Sequence, residues 1–331
     1  MRIAIDNRAV VHSGIGNYSA ILLSMLPKVE KEVETVPYED GLAFNRQGFW
    51  NKYVNGLRRL IRDQFMFRWV DKNNIDIFHN PRNTGVPVFK PFKIVVTIHD
   101  VIPHVFPQYY LNSWIERLYY EMMIRLSIYR SDKIITISEF SKQELIKYYN
   151  VPEEKIIVTP LACSDKCRVL VPEVVFSVTK KYDIKRPYIL TIGGSEYRKN
   201  VKTVLEAYDD ALASKYDLII IGGSWRGLDL AAEYRGKPGI KFLKGIPDED
   251  LIALYNGAAV FIYASFYEGF GLPLLEAMNC GTPVIAAEAS CLPEVADKAA
   301  LYFKPLDVND LQEKIRKVLQ DEKLQQMMIQ E

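Results

Sequence analysis

The chain has 331 residues, enough for two domains of ordinary size that each bury a core, and its 42 Lys+Arg against 41 Asp+Glu leave a net charge of +1, which excludes a global attraction to nucleic acid. Cys163, Cys167, Cys280 and Cys291 form no Cys-x-x-Cys pair and no His-Glu-x-x-His helix occurs, which argues against structural metal and for a reducing, cytoplasmic setting. The amino terminus turns polar after a few apolar residues, unlike a signal peptide, and no apolar run approaches the ~20 residues of a membrane span.

Arg2–Asp6 reads as the first strand, followed by a loop over 11–18 and an apolar helix to about Leu26. The loop carries Gly14-x-Gly16, with Ser19 where a dinucleotide fingerprint needs its third glycine, so an NAD-dependent oxidoreductase is a poor match. Between Arg46 and Lys72, seven basic residues stand against two acidic ones with aromatics interleaved. Such a helix lies either on an anionic membrane surface or against a core with its basic face solvated. Residues 75–79 and 93–98 are the next strands, and the second ends in His99-Asp100, which puts the imidazole in the crevice beyond a parallel strand. Asp100 either orients His99 or caps the following loop. An aromatic-rich helix over 114–129, a strand over 133–137, a helix capped by Ser138 and a strand over 155–159 complete this half.

Periodicity weakens and charges accumulate from about Ser164 to Arg186, which divides the chain into 1–165, a connection 166–186, and 187–331. The second half opens with the strand Tyr188–Ile192 and a glycine-bearing turn that carries Arg198 and Lys199 just ahead of a helix, a pairing suited to a diphosphate without any metal. Strands at Asp217–Ile221, Ile240–Leu243 (followed by Gly245), Val260–Tyr263 and 284–286 alternate with helices. After Val260–Tyr263 comes Tyr267-Glu268-Gly269-Phe270-Gly271-Leu272-Pro273-Leu274-Leu275-Glu276, read as a tight loop entering a helix, with open N–H groups near Phe270, Gly271 and Leu272 and seven residues between the two glutamates.

That segment, with Gly281-Thr282-Pro283 behind it, resembles the Glu-x7-Glu signature of family-four retaining glycosyltransferases. The runs 96–103 and 137–141 and the stretches Leu292-Pro293-Glu294 and 300–303 extend the resemblance over nearly the whole chain. It implies an α/β chain of the GT-B fold, two Rossmann-like doubly wound domains facing each other across a cleft. It implies that Glu268 touches the donor sugar near the reacting carbon, Phe270, Gly271 and Leu272 hold the diphosphate through backbone N–H, and Glu276 takes the ribose. Arg198 and Lys199 would neutralise the leaving diphosphate, Gly245 would support the base, His99 would reach the sugar, and Gly14 and Gly16 would line the cleft. Gly194 stands where some members carry an arginine, so the phosphate role rests on Arg198 and Lys199. Relatives continue past the last helix onto the first domain, whereas this sequence stops at Glu331 after the helical pattern 311–319.

The expectation is a metal-independent hexosyltransferase with no cofactor, in polysaccharide biosynthesis, using a nucleotide-sugar donor and a glycan or lipid-linked acceptor. By the same resemblance the donor is GDP-mannose, with a UDP-sugar next and a GT-B phosphorylase or epimerase as the other reading. The setting expected is cytoplasmic, with a peripheral position on the inner face of the membrane if the basic stretch 46–72 lies on an anionic surface and not against a core.

Overall fold

A computed structural model describes residues 1–8, 14–38, 73–87, 92–224 and 228–331. The basic aromatic stretch 46–72 lies outside the described residues. The chain divides into two compact units, Met1–Thr159 and Pro160–Glu331.

In the first unit β1 (Arg2–Asp6), β2 (Glu34–Tyr38), β3 (Ile77–Asn80), β4 (Lys93–Thr97), β5 (Lys133–Thr136) and β6 (Ile156–Val158) form a parallel sheet in the order β2-β1-β3-β4-β5-β6. Ile94, Val96 and Ile134 from the sheet and Ile124, Ile128 and Leu145 from the Trp114–Arg130 and Glu139–Tyr149 helices share one core. Ser138 caps the second of these helices as its position suggested, its hydroxyl accepting from Ser141 N at 3.0 Å. β2 has no counterpart in the sequence reading. Its Pro37 interrupts the strand pattern, and among the described residues β2 pairs only with β1, so the missing N–H falls on an edge where it costs nothing.

The second unit holds β7 (Tyr188–Ile192), β8 (Asp217–Ile221), β9 (Ile240–Leu243), β10 (Val260–Tyr263), β11 (Val284–Ala287) and β12 (Ala300–Phe303), parallel in the order β12-β11-β10-β7-β8-β9. β10 and β11 are buried along their whole length, which is why they read as unbroken apolar runs. The stretch 166–186 is no free connection. It carries the Pro172–Lys181 helix, which packs on the Asp248–Gly257 helix and belongs to this unit. Asn256 accepts from Leu170 N at 2.8 Å and donates to Arg168 O at 3.0 Å, while Asp250 takes both Lys181 and Tyr182. Those bonds are long-range, so no local periodicity announces them.

Each sheet grows in both directions from an inner strand, from β1 toward β2 and β3, and from β7 toward β8 and β10. Open α/β sheets bind ligands beyond the carboxyl ends of the strands at such reversals. The residues there are Asp6, His79 and Asn80 in the first unit and the loops after Ile192 and Tyr263 in the second.

Candidate active site

In the second unit the loop after β7 turns through Gly193 and Gly194, both at positive φ, into a one-turn helix Tyr197–Lys199 and then the Val201–Ala207 helix. A Cβ on Gly193 would lie 2.4 Å from Lys199 Cβ, so the absent side chain is what lets the lysine stem lie against the turn. A Cβ on Gly194 would stand 2.3 Å from Gly223 O, and this tight approach of backbone to backbone excludes the arginine that some family members carry there. Arg198 O then accepts from Phe266 N and Ser265 Oγ, both at 3.0 Å, stitching this loop to the one after β10.

The second loop delivers Glu268 to the same place. Its carboxylate is 7% exposed as a residue, and it accepts from Lys199 Nζ at 2.6 Å and Tyr263 OH at 2.8 Å through Oε1 and from Arg198 Nη1 at 2.5 Å through Oε2. Burial works to raise the Glu268 carboxyl, but the Lys199 ammonium and the Arg198 guanidinium outweigh it and hold it at about 2. Glu268 is therefore an anion at neutral pH and no proton donor. Glu196 grips Arg198 Nε from the other side at 2.8 Å, so two cations and two carboxylates balance. Ser290 Oγ and Cys291 Sγ fix the Glu268 backbone.

Gly271, at φ +97°, precedes the Leu272–Asn279 helix, whose Pro273 stands in its first turn. The N–H groups of Phe270, Gly271 and Leu272 have no acceptor among the described residues. These are the open donors of a helix start, one strand away from two cations. Glu276 sits on the second turn of this helix, where Tyr255 OH donates to it at 3.0 Å and burial pushes its carboxyl up. Gly245 is apart from the cluster: it follows β9 at the edge of the sheet, at φ +64°, with open space where a Cβ would be.

In the first unit, Gly14 and Gly16 do not form a loop but open the Gly14–Val29 helix. Apolar positions begin at Ile15, and the helix runs on through Pro27 to Val29. One turn on, Tyr18 places its ring edge-on against His99, with centroids 5.1 Å apart, and its hydroxyl 3.2 Å from Thr97 Oγ1. His79 Nε2 shares the same threonine oxygen at 2.7 Å. His99 Nε2 lies 3.0 Å from Pro81 O. A carbonyl only accepts, so Nε2 carries the proton and Nδ1 keeps a lone pair. Burial lowers both imidazoles, His79 to about 4 with the neighbouring His99 adding to it, so both are uncharged at neutral pH. Asp100 caps the turn, accepting from Ile102 N at 3.0 Å, while Asn83 Oδ1 and Ser141 Oγ hold the His99 backbone. Beside this network Asp6, fully buried, pairs with Arg8 at 2.7 Å and Arg82 at 2.5 Å.

The structure thus gathers Arg198, Lys199 and Glu268 around one point, sets Phe270, Gly271 and Leu272 beside it, and leaves Gly245 outside. Tyr263, Glu196 and Tyr255 were not foreseen, nor were Tyr18, His79 and Thr97. His79 lies near the carboxyl end of a parallel strand as His99 follows one, so the same argument would have found it. Among the described residues no group of three or more His, Cys, Asp or Glu side chains gathers to hold a metal ion.

The chain matches the model described as Glycosyltransferase Family 4 over residues 20–163 and that described as Glycosyl transferases group 1 over 177–331. It is 33% identical over 318 residues to the O-antigen chain mannosyltransferase B of Escherichia coli, covering 92% of this chain and 81% of that one. It is 34% identical over 244 residues to the serotype-specific mannosyltransferase WbdA of Escherichia coli, covering 70% of this chain but only 30% of that protein. The crystal structure of HepE from Anabaena in complex with UDP-glucose superposes with a TM-score of 0.73 at 15% identity over 99% of this chain and 92% of that one, which shows the fold alone. The oxidoreductase reading of Gly14 and Gly16 falls with these matches. With two family models over its two halves and a relative of which it spans four-fifths, the chain belongs to the family-four glycosyltransferases of the GT-B fold.

Proposed function

We propose that this glycosyltransferase moves mannose from GDP-mannose to a hydroxyl of a glycan or lipid-linked acceptor in polysaccharide assembly, with retention at the anomeric carbon and without a metal. The observation that carries the reading is the cluster of Arg198, Lys199 and Glu268 beside three N–H groups that have no acceptor among the described residues, at the reversal between β7 and β10. Breaking a sugar–phosphate bond leaves negative charge on the diphosphate and positive charge on the sugar ring. Arg198, Lys199 and the N–H groups of Phe270, Gly271 and Leu272 stabilise the first. Glu268, an anion held by two cations, stabilises the second or holds a sugar hydroxyl. Glu276 takes the ribose, Gly245 the base, and His99 accepts a sugar hydroxyl at Nδ1. Gly14 and Gly16, at the start of their helix, are assigned to the acceptor side.

Mannose is supported by the two similar Escherichia coli proteins, both named mannosyltransferases. The donor base is tested by competition of GDP against UDP in a thermal-shift titration, where GDP should shift the midpoint more at equal concentration. A preference for UDP overturns GDP-mannose in favour of a UDP-sugar. Product that forms from the nucleotide sugar without any acceptor overturns transfer itself in favour of a phosphorylase or epimerase. Activity should persist in chelator, because Arg198 and Lys199 supply the charge a divalent ion would. Loss in chelator restored by magnesium overturns that part.

The reading includes a peripheral position on the cytoplasmic face of a membrane, supported in the sequence by the basic stretch 46–72. No helix of the described residues is long and apolar enough to cross a bilayer.

A further inference from the structure

At the carboxyl end of the first sheet, three side chains form a hydrogen-bonded relay that ends in a hydroxyl with no role yet. His79, near the end of β3, lies 2.7 Å by Nε2 from Oγ1 of Thr97, the last residue of β4, and the Tyr18 hydroxyl lies 3.2 Å from the same oxygen. Thr97 and His79 are buried, whereas Tyr18 is half-buried. The relay therefore runs outward, from imidazole to threonine to phenol.

Its direction follows from counting protons. A threonine hydroxyl has one proton, so Thr97 donates to one of its two neighbours and accepts from the other. A neutral imidazole has one N–H, and burial keeps His79 uncharged at neutral pH. His79 Nδ1 has no hydrogen-bond partner among the described residues. A buried N–H is left unmet more rarely than a lone pair, which puts the proton on Nε2. Nε2 then donates to Thr97, and Thr97 donates to Tyr18. The Tyr18 proton is left over, with no acceptor for it among the described residues.

Beside that donor stands His99, whose ring Tyr18 meets edge-on at 5.1 Å between centroids and whose Nδ1 keeps a lone pair. A donor and an acceptor thus sit together at a strand end where open α/β sheets take ligands. Sugar hydroxyls both donate and accept, so the pair matches a sugar.

We propose that Tyr18 is a further substrate-contacting residue, its hydroxyl donating to a hydroxyl of the sugar that His99 also binds, and that His79 is a positioning residue that acts through Thr97 to keep Tyr18 a donor. The proposal rests on the reading of His99 as a sugar contact, but not on the base of the donor nor on any membrane.

The edge-on packing belongs to the Tyr18 ring and the donor to its hydroxyl, so Tyr18→Phe separates the two. Steady-state transfer is measured from the nucleotide sugar that the parent uses, GDP-mannose under the reading above, and from analogues that each lack one sugar hydroxyl. Tyr18→Phe should lower kcat/KM about tenfold with the full sugar, bind the free nucleoside diphosphate as the parent does, and match the parent on the one analogue that lacks the contacted hydroxyl. His79→Phe should cost several-fold alone and nothing further in the Tyr18→Phe background, and His79→Gln, which still offers Thr97 an N–H, should cost less. Where His79→Phe does not fold, the nearly isosteric Thr97→Val should give the same non-additive loss. An unchanged kcat/KM in Tyr18→Phe overturns the contact, and so does an equal loss on every analogue, the result for a residue that only packs. Losses in His79→Phe or Thr97→Val that add in full to that of Tyr18→Phe overturn the positioning role. His99→Ala that keeps the parent's kcat/KM overturns the reading beneath the proposal, a result distinct from that of Tyr18→Phe. A parent that uses a UDP-sugar overturns GDP-mannose alone, and the Tyr18 comparison on that sugar then has the same two outcomes.

Discussion

The two sheet reversals carry opposite electrostatics. At β7 and β10, Arg198 and Lys199 meet Glu268 and Glu196 in a closed set of ion pairs. At β1 and β3, two uncharged imidazoles, a threonine and a tyrosine share a network that carries no charge, and the charges that are present, Asp6 with Arg8 and Arg82, pair beside it. The contrast sets what each can hold. Cations already desolvated and steadied by carboxylates can be re-paired with an incoming polyanion at little reorganisation. Neutral imidazoles offer directional hydrogen bonds and no field, which suits hydroxyls.

The largest test of this contrast removes the cations. Arg198→Ala/Lys199→Ala should weaken nucleoside diphosphate binding by at least ~100-fold in calorimetry, since each charged hydrogen bond is worth about 1.5–3 kcal/mol. Unchanged affinity would show that the second unit is no anion site. The same variant should lose stability as well, because Glu268 is then buried without its counter-charges.

Acid should separate the two regions. Glu268 is depressed from 4.5 to about 2, so its contribution is complete above pH 4.5 and is lost as pH falls toward 2. His79 is depressed from 6.5 to about 4, so its unprotonated form supports the fold above pH 6.5 and that support is lost as pH falls through 4. Each is on the order of 3 kcal/mol. Denaturant unfolding across pH should therefore show His79→Gln removing slope between 6.5 and 4, and Glu268→Gln removing it between 4.5 and 2. Identical pH profiles for the parent and both variants would erase the distinction.

Within the second unit the two signature carboxylates should differ. Glu268→Gln is expected to lower kcat about 100-fold with nucleotide affinity nearly kept, as for a group aimed at charge that develops in the transition state. Glu276→Ala should weaken nucleotide binding about tenfold and leave kcat within a few-fold. Equal losses of nucleotide affinity in both would remove the division of roles. The smallest effect belongs to Tyr255→Phe, which deletes the bond to Glu276 Oε2 and should weaken nucleotide binding only a few-fold, in line with about 1 kcal/mol for one hydrogen bond.

Much of this was legible in residue order, for a physical reason. Strands buried on both faces must be apolar along most of their length, and so the bounds of β7, β8 and β10 agree with those read from the sequence. The helix start after Gly271 was legible too, since Pro273 and the glycines are local signals. β2 and the Pro172–Lys181 helix were not. A proline masks the first, and the second buries no residue fully.

The site divides along the same line. Residue order names the groups that are present: a basic pair ahead of a helix, two carboxylates with seven residues between them, and a histidine beyond a strand end. Only tertiary structure decided that Arg198 and Lys199 close on Glu268 across 70 and 69 positions of chain, that Asp100 caps a turn instead of orienting His99, and that His79 and Tyr18 meet at Thr97. Parallel strand order sets these contacts, because it brings β7 beside β10 and β1 beside β3 while the chain between them runs elsewhere. Local propensity carries no record of that order. The same holds for the Trp114–Arg130 helix, whose composition shows that it is apolar and aromatic, while only the packing of Ile124 and Ile128 on the sheet decides that Trp114, Leu118, Met122 and Tyr129 are the side left outside.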